Sequence, residues 1–175
     1  MIASRPPVLE PPTGTLRMTR TPRNTTLVAQ REAPSTPPTA PQKRLDVFPN
    51  PAPERDYVIQ FEIPEFTCNC PLTGQPDFAR FTIDMVADRL CVELKSLKLY
   101  FWSYRNEGAF HEKVTNAILD DIVAATKPRY ARISARWNVR GGIYTNIVAE
   151  HRARKWKPAA PLVVGPVGEQ TAIDR

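Results

Sequence analysis

Ligands for a transition metal are scarce in this chain, which offers three cysteines and two histidines. A structural zinc site needs about four, usually two close cysteine pairs or one pair joined by histidines. One close pair exists, Cys68 and Cys70, and only Cys91, His111 and His151 remain to complete it. No metal centre is expected on that count. Three cysteines are also too few, and odd in number, for a disulfide scaffold, so a reducing cytoplasm is the natural setting. Long apolar runs are missing: nothing approaches the ~18 residues of a membrane span, and the opening MIASRPPVLEPP lacks the apolar stretch of a secretory signal. No G-x-G-x-x-G follows a strand, which leaves a Rossmann dinucleotide site unsupported.

The 175 residues suit one domain with a tail. Net charge is +6, and its placement matters more than its size. Residues 1–45 carry seven basic side chains against Glu10 and Glu32, while the rest holds seventeen basic and sixteen acidic ones. Nine of the 19 prolines fall in the same segment. Such a stretch cannot bury enough apolar surface to offset its ordering entropy. The expected organisation is a basic, proline-rich disordered tail over 1–45, a folded domain over 46–157 and a loose end over 158–175. The nearly neutral domain argues against direct nucleic-acid binding outside the tail.

Within the domain the periodicity changes from two to 3.6 and back. RDYVIQFEIPEF sets Tyr57, Ile59, Phe61 and Ile63 against Val58, Gln60 and Glu62, a strand with one buried face. In ARFTIDMVAD, Phe81, Ile83 and Met85 oppose Arg80, Thr82 and Asp84. Leu94, Leu97, Phe101 and Tyr104 then fall at helical spacing, as do Phe110, Val114, Ala117, Ile118, Ile122 and Ala125 before Pro128. YARISARWNV and IYTNIVAE flank Arg140-Gly141-Gly142, a hairpin signal. The order strand, strand, helix, helix, strand, strand predicts an α+β fold, an antiparallel sheet with two helices on one face. Four strands leave two bare edges, which predicts a symmetric oligomer.

Several residues could carry chemistry. Cys68 and Cys70 read as small apolar residues, as a metal clip, or as one nucleophile with a bystander; Pro71, Thr73-Gly74 and Pro76 put an exposed turn beside them. A nucleophile needs a thiolate and a proton donor, and Asp77 lies in the same loop. His111-Glu112 opens the second helix, where an acid suits the helix dipole. A carboxylate there could equally accept two adjacent N–H donors of a guanine-like edge, with the imidazole moving protons. Lys95 and Lys98, at an i, i+3 spacing, form a solvated face or a phosphate grip. Arg140 reads first as a hairpin tip.

Together these stretches resemble the short, single-module form of the 7-cyano-7-deazaguanine reductase family, the NADPH-dependent nitrile reductases of queuosine (tRNA modification) biosynthesis. The likeness runs from about Leu45 to about Arg152 and is most specific in ELKSLKLY, Glu93 to Tyr100. CPLTGQPDF around Cys70 and Asp77, FHE at 110–112 and the NVRGG hairpin agree in order. The tail has no counterpart in it.

The resemblance implies Cys70 as the nucleophile, forming a thioimide with the nitrile carbon, and Asp77 as proton donor to the nitrogen. It implies Glu112 reading the deazaguanine edge, with Glu93 assisting and His111 near enough to help proton movement. Lys95, Lys98 and Arg140 would meet the phosphates of NADPH. The implied fold is the tunnelling fold, assembled as a barrel of two stacked pentamers with active sites between subunits. A zinc-dependent GTP cyclohydrolase on the same fold is the rival, with Cys68, Cys70 and a histidine as ligands, but Glu93–Tyr100 has no role in that chemistry. The other rival is a non-catalytic protein that binds nucleic acid through its basic tail.

Overall fold

A computed structural model describes residues 40–166 and the backbone of 171–173. The expectation of disorder therefore falls largely outside the described residues. Its last few positions do not fit a tail: Gln42 N–H donates to Leu99 O at 3.2 Å, and Leu45 packs on the core.

The elements are β1 (Val47–Pro49), β2 (Val58–Asn69), β3 (Pro76–Val86), β4 (Leu90–Val92), α1 (Leu94–Trp102), α2 (His111–Thr126), β5 (Tyr130–Trp137), β6 (Asn146–Arg152), β7 (Leu162–Val164) and β8 (Thr171–Ile173). The main sheet is antiparallel in the order β2-β3-β5-β6, and β1-β4 and β7-β8 are short separate pairs. The α+β class expected from the pattern is what the chain adopts.

Alternation decides which face each strand turns to the helices. Phe81, Ile83, Met85, Ile133 and Ala135 point the same way and join Leu97, Tyr100, Phe101, Val114, Ile118 and Ile122 in one core. Full burial of side chains this size contributes roughly 1.5–3 kcal/mol each. Ile59, Phe61 and Ile63 of edge strand β2 lie partly buried against it. The register then shifts between Ile63 and Phe66, at Pro64-Glu65. A bulge inserts a residue and reverses the parity of the strand beyond it. Phe66 and Cys68 consequently point into the core, where they are 2% and 0% exposed.

Both helices have local reasons for their ends. Glu93 caps α1, its carboxylate accepting from Lys95 N–H at 2.8 Å and Ser96 N–H at 2.7 Å. Leu94, expected on the buried stripe, is exposed at this first turn. The α2 helix ends at Lys127 in the left-handed conformation, one residue before Pro128. Among the described residues no helix is long and apolar enough to cross a membrane.

The loose end expected after Lys157 needs correction for residues 158–166. Gly165 N–H donates to the buried Asp84 carboxylate at 2.7 Å, and Gln60 holds both Asp84 and Gly165 O. Val164 is buried against Val86 and Tyr130, on the face of the sheet away from the helices. Asp56 makes a second anchor, accepting from Trp156 Nε1 at 3.1 Å, Ala159 N–H at 3.2 Å and Arg129 at 3.0 Å. Composition carries no sign of this, because the partners lie about a hundred residues upstream.

Burial raises the Asp56 carboxyl, but the donors from Ala159, Trp156 and Arg129 outweigh it and hold the group below its ordinary value. A depressed carboxyl contributes stability that is complete above the unfolded value near ~4 and is lost as pH falls through the folded one. Asp56→Asn should lower the neutral-pH melting temperature by roughly 2–6 °C. The gap to the parent protein should narrow below pH ~4. Thermal melts across that range check it, and a gap independent of pH would refute the anchor's ionic character.

Candidate active site

The end of β2, the start of β3, the first turn of α2 and the β5–β6 hairpin meet around a cavity of about 180 Å³. Cys70, Pro71, Asp77, Ala109, Phe110, His111, Glu112 and Arg140 line it. Backbone bonds hold the pieces together. Asn69 N–H donates to Glu107 O at 2.8 Å and Ala109 N–H to Asn69 O at 3.0 Å, which fixes the entry to α2 beside the β2 end. The loop after Cys70 closes through Cys70 N–H to Gln75 O and Gly74 N–H to Cys70 O. Gly141 and Gly142, both at positive φ, let the hairpin turn tightly from Arg140 to Ile143.

Asp77 sits at the centre. It pairs with Cys68 across β2 and β3 and is 4% exposed. Its Oδ1 accepts from Arg140 Nη1 at 2.6 Å, and its Oδ2 lies 3.4 Å from His111 Nε2. Arg140 also donates to Gln75 Oε1 at 2.6 Å. The His111 ring stacks on Trp137, centroids 3.7 Å apart and planes 7° from parallel.

The two neighbouring thiols differ sharply. The Thr73 hydroxyl, then the backbone N–H groups of Leu72 and Thr73, draw Cys70 down to about 7, with Arg140 adding a smaller pull. Burial pushes Cys68 up to about 11, helped by the charges of Asp77, Cys70 and Glu107. Cys70 is half-buried at the cavity, whereas Cys68 is sealed in the core. Such a site can place a thiolate, a carboxylate and an imidazole on one small electrophile.

Of the residues singled out from sequence, Cys70, Asp77, His111, Glu112 and Arg140 come together here. Glu93, Lys95 and Lys98 do not line this cavity. Glu93 is a helix cap in the single chain, and Lys98 borders a separate groove of about 780 Å³ between β2 and α1. Arg140, expected at a cofactor phosphate, donates to Asp77 Oδ1 in the single chain. Trp137 escapes a reading of the sequence, because an aromatic at a strand end reads as core; only its place three residues before Arg140 hints otherwise. Among the described residues no group of three or more His, Cys, Asp or Glu side chains could hold a metal ion.

A lowered thiol, a clamped carboxylate and a stacked imidazole around one cavity make a candidate catalytic site on an α+β scaffold. Comparison with known proteins gives the family. The family model for QueF-like protein matches residues 76–156. The chain is 63% identical over 126 residues to a protein of Nitrosomonas europaea named NADPH-dependent 7-cyano-7-deazaguanine reductase, covering 72% of this chain and 91% of that one. A protein of Alkalilimnicola ehrlichii with the same name is 64% identical over 121 residues, covering 69% and 94%. The crystal structure of the archaeosine synthase QueF-Like in the apo form aligns with a TM-score of 0.50 at 19% identity, over 53% of this chain and 91% of that one, a likeness of fold. The chain belongs to the family of NADPH-dependent 7-cyano-7-deazaguanine reductases.

Iodoacetamide at neutral pH should label Cys70 first, with a rate that climbs as pH rises through about 7. Cys68 should stay unlabelled until the fold opens. Peptide mass mapping checks this, and equal labelling of both thiols would count against the assignment.

Proposed function

We propose that this chain reduces the nitrile of 7-cyano-7-deazaguanine to the aminomethyl group through a covalent adduct on Cys70, in the formation of queuosine. One observation carries the reading: the Cys70 thiol, drawn down to about 7, opens onto the same cavity as Asp77, His111 and Glu112. A bare nitrile is a poor hydride acceptor. Addition of the Cys70 sulfur to its carbon, with a proton to its nitrogen, gives a thioimide whose C=N bond accepts hydride readily.

Asp77 and His111 hold the proton that the nitrogen takes. The next proton goes to the same nitrogen when the thioimide carbon is reduced. Expulsion of the Cys70 thiolate then leaves a protonated imine, and a second hydride to its carbon gives the amine with no further proton. Two hydrides enter in all, and NADPH supplies both when bound. Glu112, at the mouth of the cavity on the first turn of α2, suits the two adjacent N–H donors of the deazaguanine edge. Cys68 has no part in the chemistry.

The cofactor side fits residues of this chain that lie elsewhere. Lys95 and Lys98 are exposed on α1, and the groove beside Lys98 has an apolar and aromatic lining from Leu97, Phe101 and Trp102, with Arg105 at its edge. Lys98 and Arg105 beside an apolar groove, with Lys95 one turn away on α1, suit a dinucleotide's phosphates and bases. In one protomer this groove and the Cys70 cavity share no lining residue. A second copy bringing its own α1, with Glu93, Lys95 and Lys98, next to Cys70 would complete the site. This supports a closed homo-oligomer, in keeping with the stacked pentamers that the family resemblance implies.

The expected result is two NADPH oxidised per 7-cyano-7-deazaguanine, abolished by Cys70→Ala and retained by Cys68→Ala. Absorbance of the reduced nicotinamide tracks it. Loss of activity in both variants would point to a paired role for the cysteines, and no oxidation by folded parent protein would overturn the reading.

A further inference from the structure

Arg140 and Trp137 both belong to the strip that leaves β5. Two backbone bonds pin its root: Trp137 N–H donates to Thr145 O at 3.0 Å and Asn138 N–H to Phe78 O at 2.9 Å. Phe78 is the residue after Asp77, so the strip is fixed right beside the carboxylate. Trp137 lies opposite Ala79 in the ladder, where a small neighbour leaves room for the indole. From this base Trp137 covers one face of His111, and Arg140 closes on Asp77 Oδ1 while His111 Nε2 approaches Oδ2. One short segment therefore touches both members of the Asp77–His111 pair, from opposite ends.

Two details say that these contacts serve the pair. The Trp137 indole N–H is buried and has no hydrogen-bond partner among the described residues. An orphaned buried donor costs about 1–3 kcal/mol, which phenylalanine would avoid while filling similar space, so the flat stacking face is what the position uses. The Arg140 guanidinium reaches Asp77 and Gln75, both at 2.6 Å, on the Cys70 loop and the strand it leads into. It spans the gap between hairpin and nucleophile loop with both ends of its fork.

We propose that Trp137 and Arg140 are positioning residues that set the Asp77–His111 pair against Cys70 before any cofactor arrives, with Arg140 acting on the Asp77 carboxylate. This rests on the covalent reading above. It predicts an effect on the first step alone, addition of the thiol to the nitrile, in which the sulfur–carbon bond forms, the thiol proton is lost and the nitrogen gains a proton through Asp77 and His111. No oxidant or reductant enters that step.

The test is adduct formation without NADPH, monitored by intact-protein mass after rapid quenching. Full-length parent, Arg140→Met, Arg140→Lys, Trp137→Leu and Trp137→Phe are compared at saturating 7-cyano-7-deazaguanine. Arg140→Met and Trp137→Leu should slow the adduct by about ten- to a hundredfold, the cost of a misplaced reacting group. Trp137→Phe should recover most of the rate, and Arg140→Lys, which keeps the charge but not the fork, only part of it. Parent-like adduct rates in Arg140→Met, with only the KM for NADPH raised, would overturn the proposal and return Arg140 to the phosphate. Arg140 lies at the surface of a hairpin, so that variant decides the matter even if the core tolerates no change at Trp137. Absence of adduct in the parent protein would instead sink the covalent reading itself, a separate outcome.

Discussion

Asp77 is a carboxylate with almost no access to water, and much of the site's geometry is a consequence of that burial. A buried carboxylate needs donors on its oxygens or it becomes costly to the fold. Two side chains meet that need here, Arg140 on one oxygen and His111 near the other. Each comes from a different part of the chain, the β5–β6 hairpin and the first turn of α2. Satisfying one charge therefore gathers the hairpin, a helix terminus and the end of the central strand into one place. The cavity beside Cys70 is the space left between them.

The nucleophile reaches that space through an irregularity. Regular alternation from Ile59, Phe61 and Ile63 would turn the odd-numbered residues of β2 inward all along the strand. The bulge at Pro64-Glu65 reverses this, sending Phe66 and Cys68 into the core and carrying the chain to Cys70 at its exposed end. One thiol is thus sealed and raised while the other, two residues on, meets a turn whose hydroxyl and N–H groups lower it. The reactivity difference is a matter of place within a strand and its turn, since the two side chains are identical.

Much of this is legible in the sequence, and the gaps have physical causes. Phe81, Ile83 and Met85 announce their face because a central strand packed by helices keeps strict period two. The hairpin at Arg140-Gly141-Gly142 is equally plain, since two adjacent positive φ angles nearly require glycine. The bulge is not, because Pro64 marks an interruption without fixing the parity beyond it. Arg140 reads from its neighbours as a hairpin tip, and the family resemblance alone implies a phosphate contact; its partner, Asp77, is 63 residues away and visible only after folding. Trp137 goes unnoticed for the opposite reason, as an aromatic in a strand is nearly always core, and this one is both core and neighbour of His111. The anchoring of residues 158–166 by Asp56 and Asp84 depends on carboxylates far upstream and leaves no local mark.

The arrangement of a single protomer poses two problems with a common answer. Strands β2 and β6 present outer edges that no other strand covers among the described residues. The cations suited to a dinucleotide lie on α1, beside edge strand β2, and share no cavity with Cys70. An enzyme that needed both in one protomer would have to move α1 across its own sheet, against the core contacts of Leu97, Tyr100 and Phe101. Pairing the edges of successive copies requires no such movement. It would, on the proposed reading, bring the α1 of one copy toward the cavity of the next, and the contact that covers a bare strand would also complete the chemistry. On the proposed reading, edge strands that would be a liability in an isolated subunit are what the active site is built across.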